Sequence, residues 1–317
     1  MPDGPMLYLD RELPADMMAV LGPRANLTGP GEDALTRADA VIAGASRWDG
    51  PRMDAGPRLR VISRSGIGYD SVDVAAATAR GIAVCIAPTA PTVSTAEHAV
   101  ALLMAAAKDI GGNQERLREA TGDYFAQSGS VELAGGTLGL VGYGRIARRV
   151  GRVAEALDMR VIAHDPFLDA SVADGAELVS FDELLAQADA ISVHAPLTDS
   201  TRRLFDAGAF ARMRHGVIFV NSARGALVDQ DALLDAVDAG RVGAAALDVT
   251  EPEPLPPDHP LLHHPRIVVT PHIASANRAG RLRLYEHAID NALGVLSGAV
   301  GSETAVVVNP EVLEVRP

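Results

Sequence analysis

Short runs of consecutive apolar residues recur along this chain, each followed by a polar turn and then a stretch with helical spacing. Between residues 137 and 272 the runs are Thr137-Leu138-Gly139-Leu140-Val141, Arg160-Val161-Ile162-Ala163-His164, Ala190-Ile191-Ser192-Val193, Val217-Ile218-Phe219-Val220, Ala244-Ala245-Ala246-Leu247 and Ile267-Val268-Val269. Strands that are apolar on both faces belong to a parallel sheet covered by helices on each side. The segments between them, Phe181–Gln187 and 230–239, read as helices, the latter stopped by Gly240. This region therefore reads as a doubly wound domain. Ahead of it, Met6-Leu7-Tyr8-Leu9, Val41-Ile42-Ala43, Val61-Ile62-Ser63 and Ile82-Ala83-Val84 mark a second, smaller α/β unit. No repeat or low-complexity tract interrupts the pattern, and Glu251-Pro252-Glu253-Pro254-Leu255-Pro256-Pro257 reads as a proline-rich loop.

Length supports the division, since 317 residues exceed one average domain. Hydrophobic residues make up 48% of the chain, yet no run approaches the roughly 18 needed to span a bilayer, and the most apolar helix, residues 99–107, is far too short. A soluble globular protein without a membrane partner is expected. Met1-Pro2-Asp3-Gly4 lacks a basic region followed by an apolar one, so no secretory leader is expected. The single cysteine, Cys85, excludes an internal disulfide and fits a reducing cytoplasm; its run, Gly81-Ile82-Ala83-Val84-Cys85, makes it a buried strand residue. A net charge of −13 opposes non-specific nucleic-acid binding. An anionic substrate would then need a local positive site.

The run at Thr137 leads directly into Gly142-Tyr143-Gly144-Arg145-Ile146-Ala147, a glycine-rich turn that opens a helix. Gly142 permits the tight turn, Gly144 lets backbone approach a pyrophosphate, and Ala147 is small enough for helix to pack on strand. The helix N-terminus then faces the anion. Taken alone, the motif also fits an ordinary strand-to-helix turn. The next strand ends at Asp165-Pro166, about where a dinucleotide fold places the carboxylate that binds the adenosine ribose hydroxyls. An acid there favours NAD over NADP, whose phosphate it would repel.

Three further signals sit at strand ends, where open α/β sheets place their ligands. In Asn221-Ser222-Ala223-Arg224-Gly225 the arginine could grip a carboxylate with two parallel hydrogen bonds and polarise a neighbouring carbonyl, or simply cap the next helix. Leu247-Asp248-Val249 leads to Glu253, either functional or part of a solvated acidic loop. Val269-Thr270-Pro271-His272 presents a histidine suited to proton transfer near neutral pH, whereas His263 and His264 look like ordinary loop residues.

In order and spacing these features resemble the D-2-hydroxyacid dehydrogenase family, which includes glycerate, phosphoglycerate, hydroxypyruvate and glyoxylate enzymes. The resemblance covers nearly the whole chain and extends to Gly66-Ile67-Gly68-Tyr69-Asp70, Ala96-Glu97-His98 and His194-Ala195-Pro196-Leu197-Thr198. It implies a Rossmann NAD-binding domain, residues 98–277, inserted in a flavodoxin-like α/β substrate-binding domain made of residues 1–97 and 278–317. It implies Arg224, Glu253 and His272 as the catalytic three, and the Ile67 and Gly68 backbone, with Arg224 and His272, as the hold on a 2-keto or 2-hydroxy acid. NAD would be bound by Gly142, Tyr143, Gly144, Arg145, Ile146, Asp165, His194, Ala195, Pro196, Thr198, Ser222, Ala223, Asp248, His272 and Ala274, with Asp248 on the nicotinamide carboxamide. No metal is implied. A homodimer formed through the nucleotide domain is.

The implied chemistry is hydride exchange between NAD and C2 of the acid, with His272 moving the hydroxyl proton, Glu253 orienting it and favouring imidazolium, and Arg224 binding the carboxylate. Three departures stand out: Ala147 for the third glycine, Pro91 where asparagine is common, and Ala274-Ser275 for a glycine pair. None removes a catalytic group. Val41-Ile42-Ala43-Gly44 lacks the arginine usual in phosphoglycerate members, which counts against a phosphorylated substrate unless Arg47 or Arg64 compensates; an end at Pro317 leaves no room for their regulatory domain. Two other readings stay open: an NAD(H)-sensing corepressor on the same fold, disfavoured by the lack of interaction tails, and a formate or phosphite dehydrogenase, whose formate members carry asparagine and glutamine signatures not found here.

Overall fold

Seven parallel strands form the sheet of the larger unit: β6 Thr137–Val141, β7 Arg160–His164, β8 Glu177–Leu178, β9 Ala190–Val193, β10 Val217–Asn221, β11 Val242–Leu247 and β12 Ile267–Val269, in the spatial order β12-β11-β10-β9-β6-β7-β8. The computed structural model describes residues 4–120, 122–169, 175–299 and 306–314; residues 1–3, considered above for a leader, and Pro317 lie outside them. The chain enters this sheet in the middle at β6, winds outward through β7 and β8, and returns to start the other half at β9. The strand order therefore reverses between β6 and β9, so the loops leaving them diverge and open a crevice at their carboxyl ends. This is the doubly wound Rossmann arrangement.

Residues of β6, β9 and β10 are buried at every position, as expected for strands with a helical layer on each face. On one face Phe219 meets the rings of Phe205 and Phe210 nearly edge-on, at centroid distances of 5.0 and 5.5 Å. On the other lie the helices Thr92–Ala107 and Arg145–Ala156. The second of these buries Ala147, Val150, Gly151 and Ala154, spaced to make one stripe, and leaves Arg145, Arg149 and Arg152 exposed. Among the described residues no helix is long and apolar enough to cross a membrane.

The smaller unit holds β1 Met6–Leu9, β2 Asn26–Thr28, β3 Ala40–Ala43, β4 Val61–Arg64 and β5 Ala83–Ile86, parallel in the order β2-β1-β3-β4-β5, with β13 Val306–Val307 added antiparallel beyond β5. That order is flavodoxin-like. The long helix Arg278–Leu296 covers this sheet, setting Tyr285, Ala288, Ile289, Ala292 and Val295 against Leu7, Ile42, Val61 and Ala83. The two units comprise Met1–Thr92 with Ala276–Pro317, and Val93–Ser275. The first division falls just after the start of the helix Thr92–Ala107, because that helix buries its apolar face in the larger unit. Cys85 lies buried in β5, where desolvation pushes its thiol up to about 12. β2, β8 and β13 are edge strands of only two or three residues, and β2 and β8 are too short and too polar to register as apolar runs.

Phe219→Ala removes the centre of the ring cluster without touching a strand-end loop. A loss of about 3–5 kcal/mol is expected, measured by urea unfolding.

Candidate active site

The glycine-rich turn lies at the sheet's reversal point. Gly142 has φ +83°, and a Cβ there would come within 2.8 Å of the Ala195 nitrogen and the His194 carbonyl carbon, so only glycine fits where the ends of β6 and β9 converge. Gly144 differs, since a Cβ built on it meets no protein atom within 4 Å. Its missing side chain leaves space above the first turn of the helix Arg145–Ala156, where unpaired amides favour an anion. Asp165 stands at the end of neighbouring β7, half-buried, with Oδ2 accepting from the Tyr143 amide at 2.9 Å and Oδ1 from the Phe167 amide at 3.1 Å. Ser222 Oγ, at the end of β10, is buried without a hydrogen-bond partner among the described residues. An open cradle, a helix N-terminus, a placed carboxylate and an unpaired hydroxyl fit a dinucleotide with its pyrophosphate at the turn.

Around this crevice lie the other expected contacts. Pro196 and Thr198 occupy the exposed loop after β9, tied together through Thr201, whose hydroxyl donates to the Pro196 carbonyl at 2.7 Å and accepts from the Thr198 amide at 2.8 Å. His194 at the start of that loop pairs Nε2 with Ser192 Oγ at 2.9 Å, and burial of its ring pushes its pKa down to about 4. The ring is thus neutral at pH 7. Ala223 donates its amide to Asn221 Oδ1 at 3.0 Å, and the Asn221 amide group donates to the Arg224 carbonyl at 2.8 Å, fixing the turn that carries the arginine. Arg224 precedes a short 3-10 helix, Gly225–Leu227, but its side chain makes no cap there. Gly225 sits against the backbone of Thr250, where a Cβ would lie 2.1 Å from the carbonyl carbon and oxygen. Contact of backbone on backbone brings the arginine turn beside the loop that bears Glu253, whose carboxylate feels the Arg224 charge.

His272 meets Glu253 directly, Nδ1 to Oε2 at 2.9 Å, with the two side chains 47% and 38% exposed. Glu253 Oε1 accepts the Thr250 amide at 3.1 Å, which holds the carboxylate in place. Partial burial raises the Glu253 pKa, but hydrogen bonding and charge from His272, the Thr250 amide and Arg224 together prevail and keep it below the usual glutamate value. An ionised Glu253 accepts a proton on Nδ1, leaving Nε2 as the nitrogen for acid–base work. His272 has φ +53°, a left-handed conformation that is uncommon outside glycine and is held only where surroundings impose it. Its neighbours do so: Asp248 accepts the amides of Ile273 and Ala274, each at 2.9 Å, while the Asp248 carbonyl accepts the His272 amide at 2.8 Å.

Asp248 itself is buried, and its donors here are protein groups: those two amides, the Thr270 hydroxyl at 2.6 Å and His98 Nε2 at 3.1 Å. The motifs holding His98 and Thr270 were visible in the sequence, yet neither pointed to this network. Thr95 and His98, one turn apart in the polar first half of the helix Thr92–Ala107, were the available signal. In the smaller unit, Ile67 and Gly68 follow β4 on a loop that Arg64 braces through the Gly68 and Ala43 carbonyls at 2.9 and 3.2 Å. Among the described residues the Ile67 and Gly68 amides have no protein acceptor, which makes the pair a ready anion contact. His263 ends the short helix Pro260–His263, and His264, which follows it, places Nε2 3.2 Å from the exposed Asp238.

Comparison with known proteins agrees with this arrangement. Residues 100–274 match the family described as "D-isomer specific 2-hydroxyacid dehydrogenase, NAD binding domain". The chain is 44% identical over 246 residues to a D-3-phosphoglycerate dehydrogenase of Archaeoglobus fulgidus, an alignment covering 77% of this chain and 46% of that protein. It is 40% identical to a glyoxylate reductase of Aeropyrum pernix, over 85% of this chain and 82% of that one. The crystal structure of the TT0316 protein from Thermus thermophilus superposes with a TM-score of 0.84 at 36% identity, over 95% of this chain and 100% of the other. The chain belongs to the D-isomer specific 2-hydroxyacid dehydrogenase family, and its larger unit carries the NAD-binding domain of that family. It spans about half the length of the archaeal phosphoglycerate dehydrogenase.

His194 has a measurable signature. An imidazole whose folded pKa is about 4, against about 6.5 unfolded, is bound by a proton only in the unfolded chain between those values. Stability should therefore be intact above pH 6.5 and fall as pH drops toward 4, by on the order of 3 kcal/mol from this residue. Melting curves across that window should be flatter for His194→Gln; equal slopes in both proteins would refute the assignment.

Proposed function

We propose that the chain is an NAD-dependent oxidoreductase interconverting a D-2-hydroxy acid and its 2-keto acid. The observation that carries the reading is the His272–Glu253 pair at 2.9 Å, reached by the charge of Arg224, at the carboxyl ends of the dinucleotide-binding sheet. Bound NADH would supply the hydride that reduces C2. Arg224 would take the substrate carboxylate with its guanidinium and polarise the keto oxygen. His272 would deliver the proton from Nε2 to that oxygen. Glu253, held below its usual pKa, stays ionised and stabilises the imidazolium before transfer. In the reverse direction the same nitrogen accepts the hydroxyl proton.

The finer assignments rest on separate features. Preference for NAD over NADP is supported by Asp165, with no arginine in Asp165-Pro166-Phe167-Leu168. Homodimerisation through the nucleotide domain is supported by exposed apolar side chains close together in sequence there, Ile110, Leu117 and Phe125, at 56%, 65% and 97% exposure. A cytoplasmic setting is supported by the lone buried thiol of Cys85.

A panel of 2-keto acids that includes glyoxylate, with D-3-phosphoglycerate oxidation as the reverse assay, identifies the substrate through NADH absorbance. With that substrate, His272→Ala should lose about 10²–10⁴-fold in rate while still binding NADH. Arg224→Lys should lose most activity with NADH affinity nearly intact, because the charge survives and the two-pronged geometry does not. Glu253→Gln should retain more activity than His272→Ala and shift the pH profile of reduction downward, as imidazolium loses its counter-charge. Tight NADH binding with no turnover of any acid would leave the sensing reading in its place.

Cofactor titrations test the ribose carboxylate independently. NADH should bind more tightly than NADPH to the wild type, and Asp165→Ala should narrow the gap; equal or tighter NADPH binding by the wild type would overturn the preference.

A further inference from the structure

The helix Thr92–Ala107 grips the loop that presents His272 at both ends. Thr95 Oγ1 lies 3.1 Å from Ser275 Oγ, and His98, one turn later on the same face, places Nε2 3.1 Å from both Thr270 Oγ1 and Asp248 Oδ1. Thr270 donates its hydroxyl proton to Asp248 Oδ1 at 2.6 Å, so its oxygen is left to accept from His98, which must then carry a proton on Nε2. Beyond this cluster, the Asp248 oxygens take the amides of Ile273 and Ala274, the two residues that follow left-handed His272. Asp248 has no exposed side-chain surface and His98 only 20%, so a lost donor cannot be fully replaced by bulk water.

We propose that His98 is a positioning residue for His272: by donating from Nε2 into the Asp248–Thr270 pair, it fixes the carboxylate that holds the loop in the conformation where His272 meets Glu253. The inference rests on the reading of His272 as the acid–base group. His98 touches neither His272 nor Glu253 in the described contacts and acts only through Asp248 and Thr270. A leucine keeps the volume and loses the donor; a glutamine keeps an amide donor near the place of Nε2.

The test uses the full chain with two readouts. Without substrate, amide hydrogen exchange should rise about tenfold at residues 273 and 274 in His98→Leu, stay unchanged in β10, and return most of the way to the wild-type value in His98→Gln. With the substrate from the keto-acid panel, His98→Leu should lower kcat about tenfold and KM less than twofold, and His98→Gln should recover most of the rate. In a His272→Ala background the same leucine substitution should cost nothing further, since the group it positions is gone. Unchanged exchange at 273 and 274, or an equal fractional loss of rate in the His272→Ala background, would overturn the proposal. Thr95→Val, which cuts the other anchor and leaves Asp248 intact, should leave exchange at 273 and 274 at the wild-type value; a rise there equal to that in His98→Leu would also overturn it. The expected exchange pattern in a protein that reduces no keto acid would uphold the clamp on the loop and refute the dehydrogenase reading.

Discussion

A carboxyl group removed from water is tolerated only when its oxygens are met by hydrogen bonds, and Asp248, at the end of β11, imposes that requirement on everything around it. The chain satisfies it with the loop leaving β12, the next strand of the sheet. The amides of Ile273 and Ala274 both reach the Asp248 carboxylate, and His272, just before them, is left-handed. The unusual backbone thus stands directly before the contacts that satisfy a buried group one strand away. Glu253 belongs to the loop that Asp248 begins, so the same strand end supplies both the anchor of the histidine's backbone and the partner of its ring.

Charge is distributed to match. A chain with a net charge of −13 would repel a dinucleotide and an organic acid alike, yet its acids at the crevice are engaged in local tasks. Asp248 binds backbone, Glu253 binds an imidazole and a backbone amide, and Asp165 receives the Tyr143 amide. Cationic groups nearby include Arg224 on its turn and Arg148, whose guanidinium lies over the Tyr143 ring at the glycine turn. Attraction is local and repulsion diffuse, and salt weakens distant charges more than near ones.

Much of this was legible in the sequence because strands apolar on both faces, a glycine turn and the residues at strand ends are local signals. Thr137–Val141, Ala190–Val193 and Val217–Asn221 are buried throughout, as runs of consecutive apolar residues require. The edge strands β2, Asn26–Thr28, and β8, Glu177–Leu178, were not legible, since pairing along one side only needs little apolar surface. Nor was the demand for glycine at Gly225, which depends on Thr250, some 25 residues away, lying against it. His98 shows the same limit. A histidine in the polar first half of a helix has no sequence mark that separates a surface residue from a donor to a buried carboxylate, because its partners, Asp248 and Thr270, lie about 150 and 170 residues further on.

The helix Arg278–Leu296 lies against β1, β3, β4 and β5, all of which precede the second unit in the chain. During synthesis, the first five strands emerge with one face of their sheet only partly covered, by Met17 and Leu21 of the helix Ala15–Leu21, and the helix that completes the cover over Leu7, Ile42 and Val61 is made only after the whole of Val93–Ser275. At ribosomal speeds the interval is roughly 10–40 s, long compared with hydrophobic collapse. The inserted unit, continuous in sequence, can fold while its host waits. A chaperone that shelters that incompletely covered face would act on the early part of the chain, and an interruption of synthesis within the inserted unit would release a product whose nucleotide-binding half was nearer completion than the half that began first.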